Sequence, residues 1–424
     1  MSKVRNIAEA RRRKPRLAIV PKTEWPESST SDGPRHKSQT NILHFLQLES
    51  VMLRHNEFTH REEIIRAGQT SDLQDGDVRE LYLKAHMLGL DPPKEFFDDV
   101  LADTARANGY HPIRDYLDGL HWDGEARLDC WLPTYAGVAD SAYARTVGAK
   151  MLLAAVRRVR SPGCKFDQCL VLEGLQGAGK SSLVRTLASD RYFTDCVHIG
   201  ADPKTMIEQT SGAWLIEIAE LSGIRKGEVE PIKAMLSRTS DRARMSYGKR
   251  AADVQRQFVL FGTVNDSAYL RDQTGNRRFW PVKVGRIDLV RLGQDRNQLW
   301  AEAAFREAQG ERLELPENLY EQATREQAQR LMSDPWEDKL EPALEGKAGH
   351  IEVEAVWKYL GIETHRQNPQ VGHNVSQIMN RLGFEKAKLR KGGALTPCYT
   401  NRKASTWFVL DGTRGTVGTE VGTL

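Results

Sequence analysis

The stretch Cys169-Leu-Val-Leu-Glu-Gly174-Leu-Gln-Gly-Ala-Gly-Lys-Ser-Ser182 decides how this 424-residue chain is read. Its apolar opening predicts a buried strand, and Leu183, Val184 and Leu187 predict one face of a following helix. Between them Gly174 to Ser181 match G-x-x-x-x-G-K-[ST] in full. Glycines let such a loop turn its N–H groups inward around phosphate oxygens, and the helix N-terminus adds its positive end. Lys180 would set a point charge at the outer phosphates, and the Ser181 hydroxyl is an oxygen ligand suited to Mg²⁺. The nucleotide-contacting set is therefore Gly174, Gln176, Gly177, Ala178, Gly179, Lys180, Ser181 and Ser182. No guanine-reading Asn-Lys-x-Asp occurs, which favours ATP.

Working outward, short apolar runs alternate with helical stretches from Cys169 to Val284, the pattern of an α/β layer on a mostly parallel sheet. Ala213-Trp-Leu-Ile-Glu217-Ile-Ala-Glu220 is a mainly apolar strand that delivers acids toward its end. One of Glu217 and Glu220 would hold Mg²⁺ through water and the other would orient or deprotonate an attacking water; sequence leaves the assignment open. A third strand, Phe258 to Gly262, runs on to Asn265, a polar amide placed to sense the γ phosphate. Arg277 and Arg278 follow, a pair of cations able to reach a nucleotide held by a neighbouring subunit.

The charge of the chain, +4 from 61 basic and 57 acidic residues, conceals three basic islands. Residues 1–40 carry +6, residues 225–256 carry +5 and residues 366–403 carry +7, so the remainder is −14. Residues 1–40 combine Arg11 to Arg16 with a Pro- and Ser-containing stretch and read as a disordered basic arm. Residues 41–160 read as a helical N-terminal domain closed by a helix bearing Val147, Met151, Ala154, Ala155 and Val159, stopped by Pro162 and Gly163. The ATPase core is expected over 161–335, a small domain over 336–410 and a flexible tail over 411–424. Neither an apolar run of about 18 residues nor a secretory h-region is found, which points to the cytoplasm and away from a membrane. Five cysteines in no C-x-x-C pair argue against a disulfide framework or a structural zinc site.

Several separated motifs together resemble the virulence-associated protein E family, phage- and island-encoded relatives of the superfamily 3 helicases within the AAA+ ATPases. They are His111-Pro-Ile-Arg-Asp-Tyr-Leu, Trp122-Asp-Gly, Pro162-Gly163 with Lys165 and Asp167, the glycine loop, Trp214 to Leu221 and Thr274-Gly-Asn-Arg-Arg-Phe-Trp-Pro281. The resemblance implies an ATP-driven, ring-forming, hexameric helicase core that replicates a phage or mobile element in a bacterium, often beside a separate primase. It assigns Lys180 and Ser181 to the nucleotide loop, Glu217 and Glu220 to the acidic motif, Asn265 to the sensor and Arg277 or Arg278 to the finger.

In such helicases the interval holding the middle island supplies a hairpin that enters the ring's pore. Arg242, Arg244, Tyr247, Lys249 and Arg250, basic residues interleaved with an aromatic, suit sequence-independent contact with single-stranded DNA. The last island fits a winged-helix-like domain: Asn374 would cap a helix bearing Val375, Ile378, Met379 and Leu382, and Gly383 would end it. Arg381 on that helix and Lys388, Arg390 and Lys391 on a following hairpin would meet DNA, single-stranded, forked or an origin duplex. The alternative is an ATP-switched DNA-binding protein that recognises an origin or interferes with replication without unwinding.

Overall fold

A computed structural model of the protein describes residues 24–29, 33–219, 229–243, 251–265, 269–270, 275–331, 334–401, 403–410 and 417–420. The chain divides into two units, residues 1–267 with 274–329 and residues 268–273 with 330–424.

The first unit opens on helix α1 (Gln39–Leu48), whose N-cap Ser38 accepts the Asn41 N–H. Strands β1 (Val51–Asn56), β2 (Arg61–Arg66) and β3 (Gln69–Asp72) form an antiparallel meander. Helices α2 (Asp75–Met87) and α3 (Lys94–Ala107) follow, and β4 (Gly109–Tyr110) returns parallel to β1. This sheet corrects the expectation of a helical region. Its buried positions mix apolar Leu53 and Ile64 with polar Asn56 and Glu63, which breaks the apolar alternation of a strand: Glu63 accepts bonds from Arg54 Nε at 2.8 Å, Asn56 Nδ2 at 2.9 Å and Tyr110 Oη at 2.8 Å.

The segment assigned to a disordered arm is likewise tied down over part of its length, since Asn41 Nδ2 donates to the carbonyls of Glu27 and Arg35 at 2.8 and 3.0 Å. Trp25 packs on the core built from Ile42, Phe45, Leu53 and Phe97. Arg11 to Arg16 lie outside the described residues.

Helices α4 (Pro112–Asp118), α5 (Trp131–Ala136) and α6 (Ala142–Arg160) lead to the main layer. The five positions expected to face the core on α6 are all fully buried, and Ser161, Pro162 and Gly163 end the helix as read. Trp122-Asp-Gly is a clamp: the Asp123 N–H donates to Gln298 at 3.0 Å, and the Trp122 ring lies 5.0 Å from that of Phe305.

The main layer alternates β5 (Cys169–Glu173), α7 (Lys180–Ala188), β6 (Phe193–Thr194), α8 (Pro203–Thr210), β7 (Leu215–Ile218), α9 (Val229–Ser237), the hairpin β8 (Ser240–Ala243) and β9 (Ala252–Gln255), β10 (Val259–Val264), β11 (Phe279–Lys283), α10 (Leu289–Ala308) and α11 (Tyr320–Ala328). Its five-stranded sheet runs β11-β5-β10-β7-β6 with every neighbouring pair parallel. One face packs on α6, α7 and α10 through Leu170, Leu172, Leu215, Phe261 and Trp280. Trp214 and Trp300 meet there with ring centroids 4.1 Å apart, and both indole N–H groups donate to helix carbonyls.

The second unit runs helix, strand, helix, helix, hairpin, strands: α12 (Pro335–Leu344), β12 (His350–Glu352), α13 (Val353–Leu360), α14 (Pro369–Arg381), β13 (Glu385–Lys391), β14 (Ala394–Thr400), β15 (Trp407–Leu410) and β16 (Val417–Glu420). Its core joins Leu340, Ile351, Val356, Val375, Ile378, Met379, Phe384 and Tyr399. The helix expected to start at Asn374 begins a turn and a half earlier. Asn368 caps it, accepting the Val371 N–H at 2.9 Å, and Pro369 takes the first helical position, the stronger start signal. Residues 417–420, read as tail, pair antiparallel with β15.

Candidate functional site

Because the sheet is parallel, the carboxyl ends of β5, β10 and β7 reach one edge side by side, the usual place for a ligand crevice in such sheets. Strand β10 lies between the other two although it comes last in sequence, so the loop after it is brought between the glycine loop and the acidic strand.

The glycine loop joins β5 to α7. Gly177 and Gly179 hold φ of +78° and +89°, conformations that cost an L side chain about 1–2 kcal/mol. A Cβ on Gly174 would stand 2.8 Å from Val284 Cγ2. Gln176 and Ser182 are exposed and Ala178 is half-buried.

Lys180 is 7% exposed, and its ammonium donates to the carbonyls of Gly174 at 2.7 Å and Leu175 at 2.9 Å and to Asn265 Oδ1 at 3.0 Å. Burial lowers its pKa from the usual lysine value, and the nearby Glu217 charge opposes that shift.

Glu217 is 2% exposed. Its Oε1 accepts the Ser181 hydroxyl at 2.7 Å and the Thr263 hydroxyl at 2.6 Å, while buried Oε2 takes no hydrogen bond from a described residue. The residues expected at a nucleotide site, Gly174, Lys180, Ser181, Glu217 and Asn265, are thus one constellation. Thr263, which no sequence motif marks, lies behind it and reaches only its carboxylate, Glu217. Glu220 lies outside the described residues.

The Ser181 hydroxyl and the Glu217 carboxylate, whose Oε2 takes no hydrogen bond from a described residue, are hard oxygen donors of the kind a divalent cation takes, and Mg²⁺ is commonly held by one or two carboxylates plus substrate phosphates. Among the described residues no group of three or more His, Cys, Asp or Glu forms an all-protein cage.

Arg277 and Arg278 lie elsewhere. They precede β11, whose Phe279 pairs with Cys169 and whose Lys283 pairs with Glu173, so they sit at the sheet edge opposite the glycine loop. At about 3.3 Å per residue the strand holds them roughly 15 Å or more from it. Arg278 Nε donates to Ser237 Oγ at 3.0 Å. Arg277 is exposed and lines a cavity of about 540 Å³ with Lys165, Asp167 and Trp280.

The middle basic island forms a hairpin base. Arg242 is exposed on β8, its Nε 3.8 Å from Asp253 on β9. Arg244, Tyr247, Lys249 and Arg250 fall outside the described residues. The base is fixed by Arg256, which is buried, pairs bidentately with buried Asp241 at 2.6 and 2.8 Å and donates to the Met235 carbonyl. Gly163 closes on the same place, its N–H donating to the Arg256 carbonyl at 3.0 Å.

In the second unit Lys388 and Arg390 alternate on the exposed face of β13 without an ion pair among the described residues. Arg381 is instead paired with Glu337, and Lys391 with Glu352 at 2.9 Å.

The fold and the site define a mixed α/β protein whose parallel sheet gathers a glycine loop, a buried acid and a polar strand end at one edge. A family model, the virulence-associated protein E-like domain, matches residues 117–332, and the chain belongs to that family. No curated protein matches the chain. Among solved structures, the A form apo structure of the NrS-1 C-terminal region is similar over 86% of this chain and 99% of that one, at 11% identity and a TM-score of 0.45. A further apo structure of that region covers 85% of this chain and 98% of its own, at 9% identity and a TM-score of 0.42. No described helix is long and apolar enough to cross a membrane.

Proposed function

We propose that the protein is a Mg²⁺-dependent ATPase that acts on DNA as a ring-forming helicase or translocase in the replication of a phage or mobile element. The observation that carries this is the joining of three strand ends: Lys180 of the glycine loop bonds Asn265, and Ser181 bonds Glu217. A charged lysine and a buried carboxylate are costly to enclose, and a triphosphate with its metal ion is the ligand that would use both.

In this reading the loop N–H groups and Lys180 bind the phosphates, and Ser181 and Glu217 hold the metal ion, which when bound supplies charge neutralisation at the β and γ oxygens. Asn265 keeps Lys180 aimed at the γ position. Glu220 is assigned to the attacking water, because Glu217 is engaged with Ser181. The place of Arg277 and Arg278, away from their own glycine loop, supports action on the nucleotide of a second copy. The helix, strand, two-helix and hairpin order of the second unit supports a winged-helix reading, with Lys388 and Arg390 on phosphates. Arg381 and Lys391, neutralised by Glu337 and Glu352, are the weaker candidates there.

The test is ATP hydrolysis and strand displacement on forked DNA by the full chain. Wild type should do both, and Lys180→Ala neither. Mixing Lys180→Ala with Arg277→Ala subunits should restore some hydrolysis if the site is shared. Hydrolysis with DNA binding but no displacement would replace the helicase reading with that of an ATP-switched DNA-binding protein.

A further inference from the structure

The register of the central strand singles out one residue beyond the motif positions. Phe261 of β10 is the partner of Glu217 on β7, and Thr263 is the partner of Leu172 on β5. Side chains two apart share a face of a strand, so Phe261, Thr263 and Asn265 form one line from the core to the glycine loop. Phe261 fills the core, Thr263 is 5% exposed and reaches Glu217, and Asn265 is exposed and reaches Lys180.

A carboxylate as buried as Glu217, with no cation in hydrogen-bond contact among the described residues, depends on neutral donors for what solvation it has. Both of its donors bond the same oxygen. One comes from α7 and one from β10, so between them they fix the plane of the carboxylate and leave Oε2 unbonded. Ser181 has a second task, to offer its oxygen to the metal ion. Thr263 has none, and its hydroxyl holds Oε1 whatever Ser181 does.

We propose that Thr263 is a positioning residue for the divalent cation: its hydroxyl orients Glu217 so that Oε2 faces the ion and its water shell. This rests on the ATPase reading above and adds to it a residue that touches neither nucleotide nor metal. Partners that orient a metal-holding carboxylate are typically worth about 10-fold to 100-fold in metal affinity.

The experiment is Mn²⁺ binding to the full chain with bound ADP, followed by electron paramagnetic resonance, beside ADP binding in EDTA. Thr263→Val should weaken Mn²⁺ binding about 10-fold or more and leave metal-free ADP binding unchanged. Thr263→Ser, which keeps the hydroxyl, should stay close to wild type, and Thr263→Ala should follow the valine variant if that one folds poorly. Wild-type Mn²⁺ binding by both Thr263→Val and Thr263→Ala, or an equal loss in Thr263→Ser, would overturn the proposal, the latter by tracing the effect to packing. If wild type itself binds neither ADP nor ADP with Mn²⁺, the ATPase reading falls and this inference with it.

Discussion

Replacing Arg256 with Met should loosen the hairpin base more than any surface change in the middle basic island. The guanidinium makes two charge-assisted bonds to Asp241, at 2.6 and 2.8 Å, and a third to the Met235 carbonyl, with both partners of the ion pair nearly excluded from solvent. Removing it leaves the Asp241 carboxylate buried with Arg238, 3.7 Å away, as its one ion partner among the described residues. Breaking a buried pair from one side typically costs about 3–5 kcal/mol, and the residual Arg238 contact places this case near the lower bound. At roughly 2–4 °C per kcal/mol for a large domain, the melting temperature should fall by about 6 °C or more. The double variant Asp241→Leu with Arg256→Met removes both charges and should recover much of that loss, since a buried pair is often no better than apolar residues of similar size. The assay is thermal unfolding of Arg256→Met, Asp241→Leu and the double variant, with hydrogen exchange over residues 237–257 to locate the change. A melting temperature within 1–2 °C of wild type for Arg256→Met, or a double variant worse than the sum of the singles, would refute the view that this pair anchors the hairpin.

Three further outcomes follow from separate parts of the molecule. His111 is held neutral: burial lowers its pKa below the ordinary histidine value, Nδ1 accepts the Arg114 N–H at 3.1 Å and Nε2 lies 2.7 Å from Gln257 Oε1. The unfolded chain therefore binds the proton more readily, so the histidine's contribution to stability is present above about pH 6.5 and is lost as pH falls through the depressed folded value. Thermal unfolding at pH 7.5 and 5.5 should show a smaller acid shift in His111→Asn than in wild type. Charge reversal of Lys388 and Arg390 should weaken DNA binding and reduce the log–log salt slope by about 2, whereas Arg381→Ala should change it little; fluorescence anisotropy between 50 and 200 mM salt reads both. Gly349→Ala should open the second unit to protease in the full chain, because φ is +127° and the added Cβ would stand 2.1 Å from the Thr406 carbonyl oxygen.

What sequence makes legible here follows from how local each signal is. The strand, glycine loop and helix around Lys180 are written in consecutive residues, and so is α6, whose apolar positions recur at helical spacing. The meander of β1 to β3 is illegible because two of its four buried positions are polar, Asn56 and Glu63 beside Leu53 and Ile64, and they are satisfied by Arg54 and by Tyr110 from a strand far along the chain. A period read from hydrophobicity fails when half of the buried positions belong to a hydrogen-bond network. The early residues Glu27 and Arg35 fail for the same reason, being held through Asn41 rather than through apolar burial.

Thr263 marks a different boundary. Its type and its spacing of two from Asn265 were both in the sequence, and alternation along a strand already puts the two on one face. Missing was the strand order. Only with β10 between β5 and β7 does that face look toward Glu217, and only then does a threonine before a polar strand end become a donor to a buried acid. The same strand order separates the arginines from the loop, because β11 beside β5 and parallel to it must start at the edge where β5 starts. A residue's distance from Lys180 along the chain is thus no guide to its part in the site. Asn265, 85 residues away, touches the ammonium, while Arg277, only 12 residues further on, lies at the far edge of the sheet.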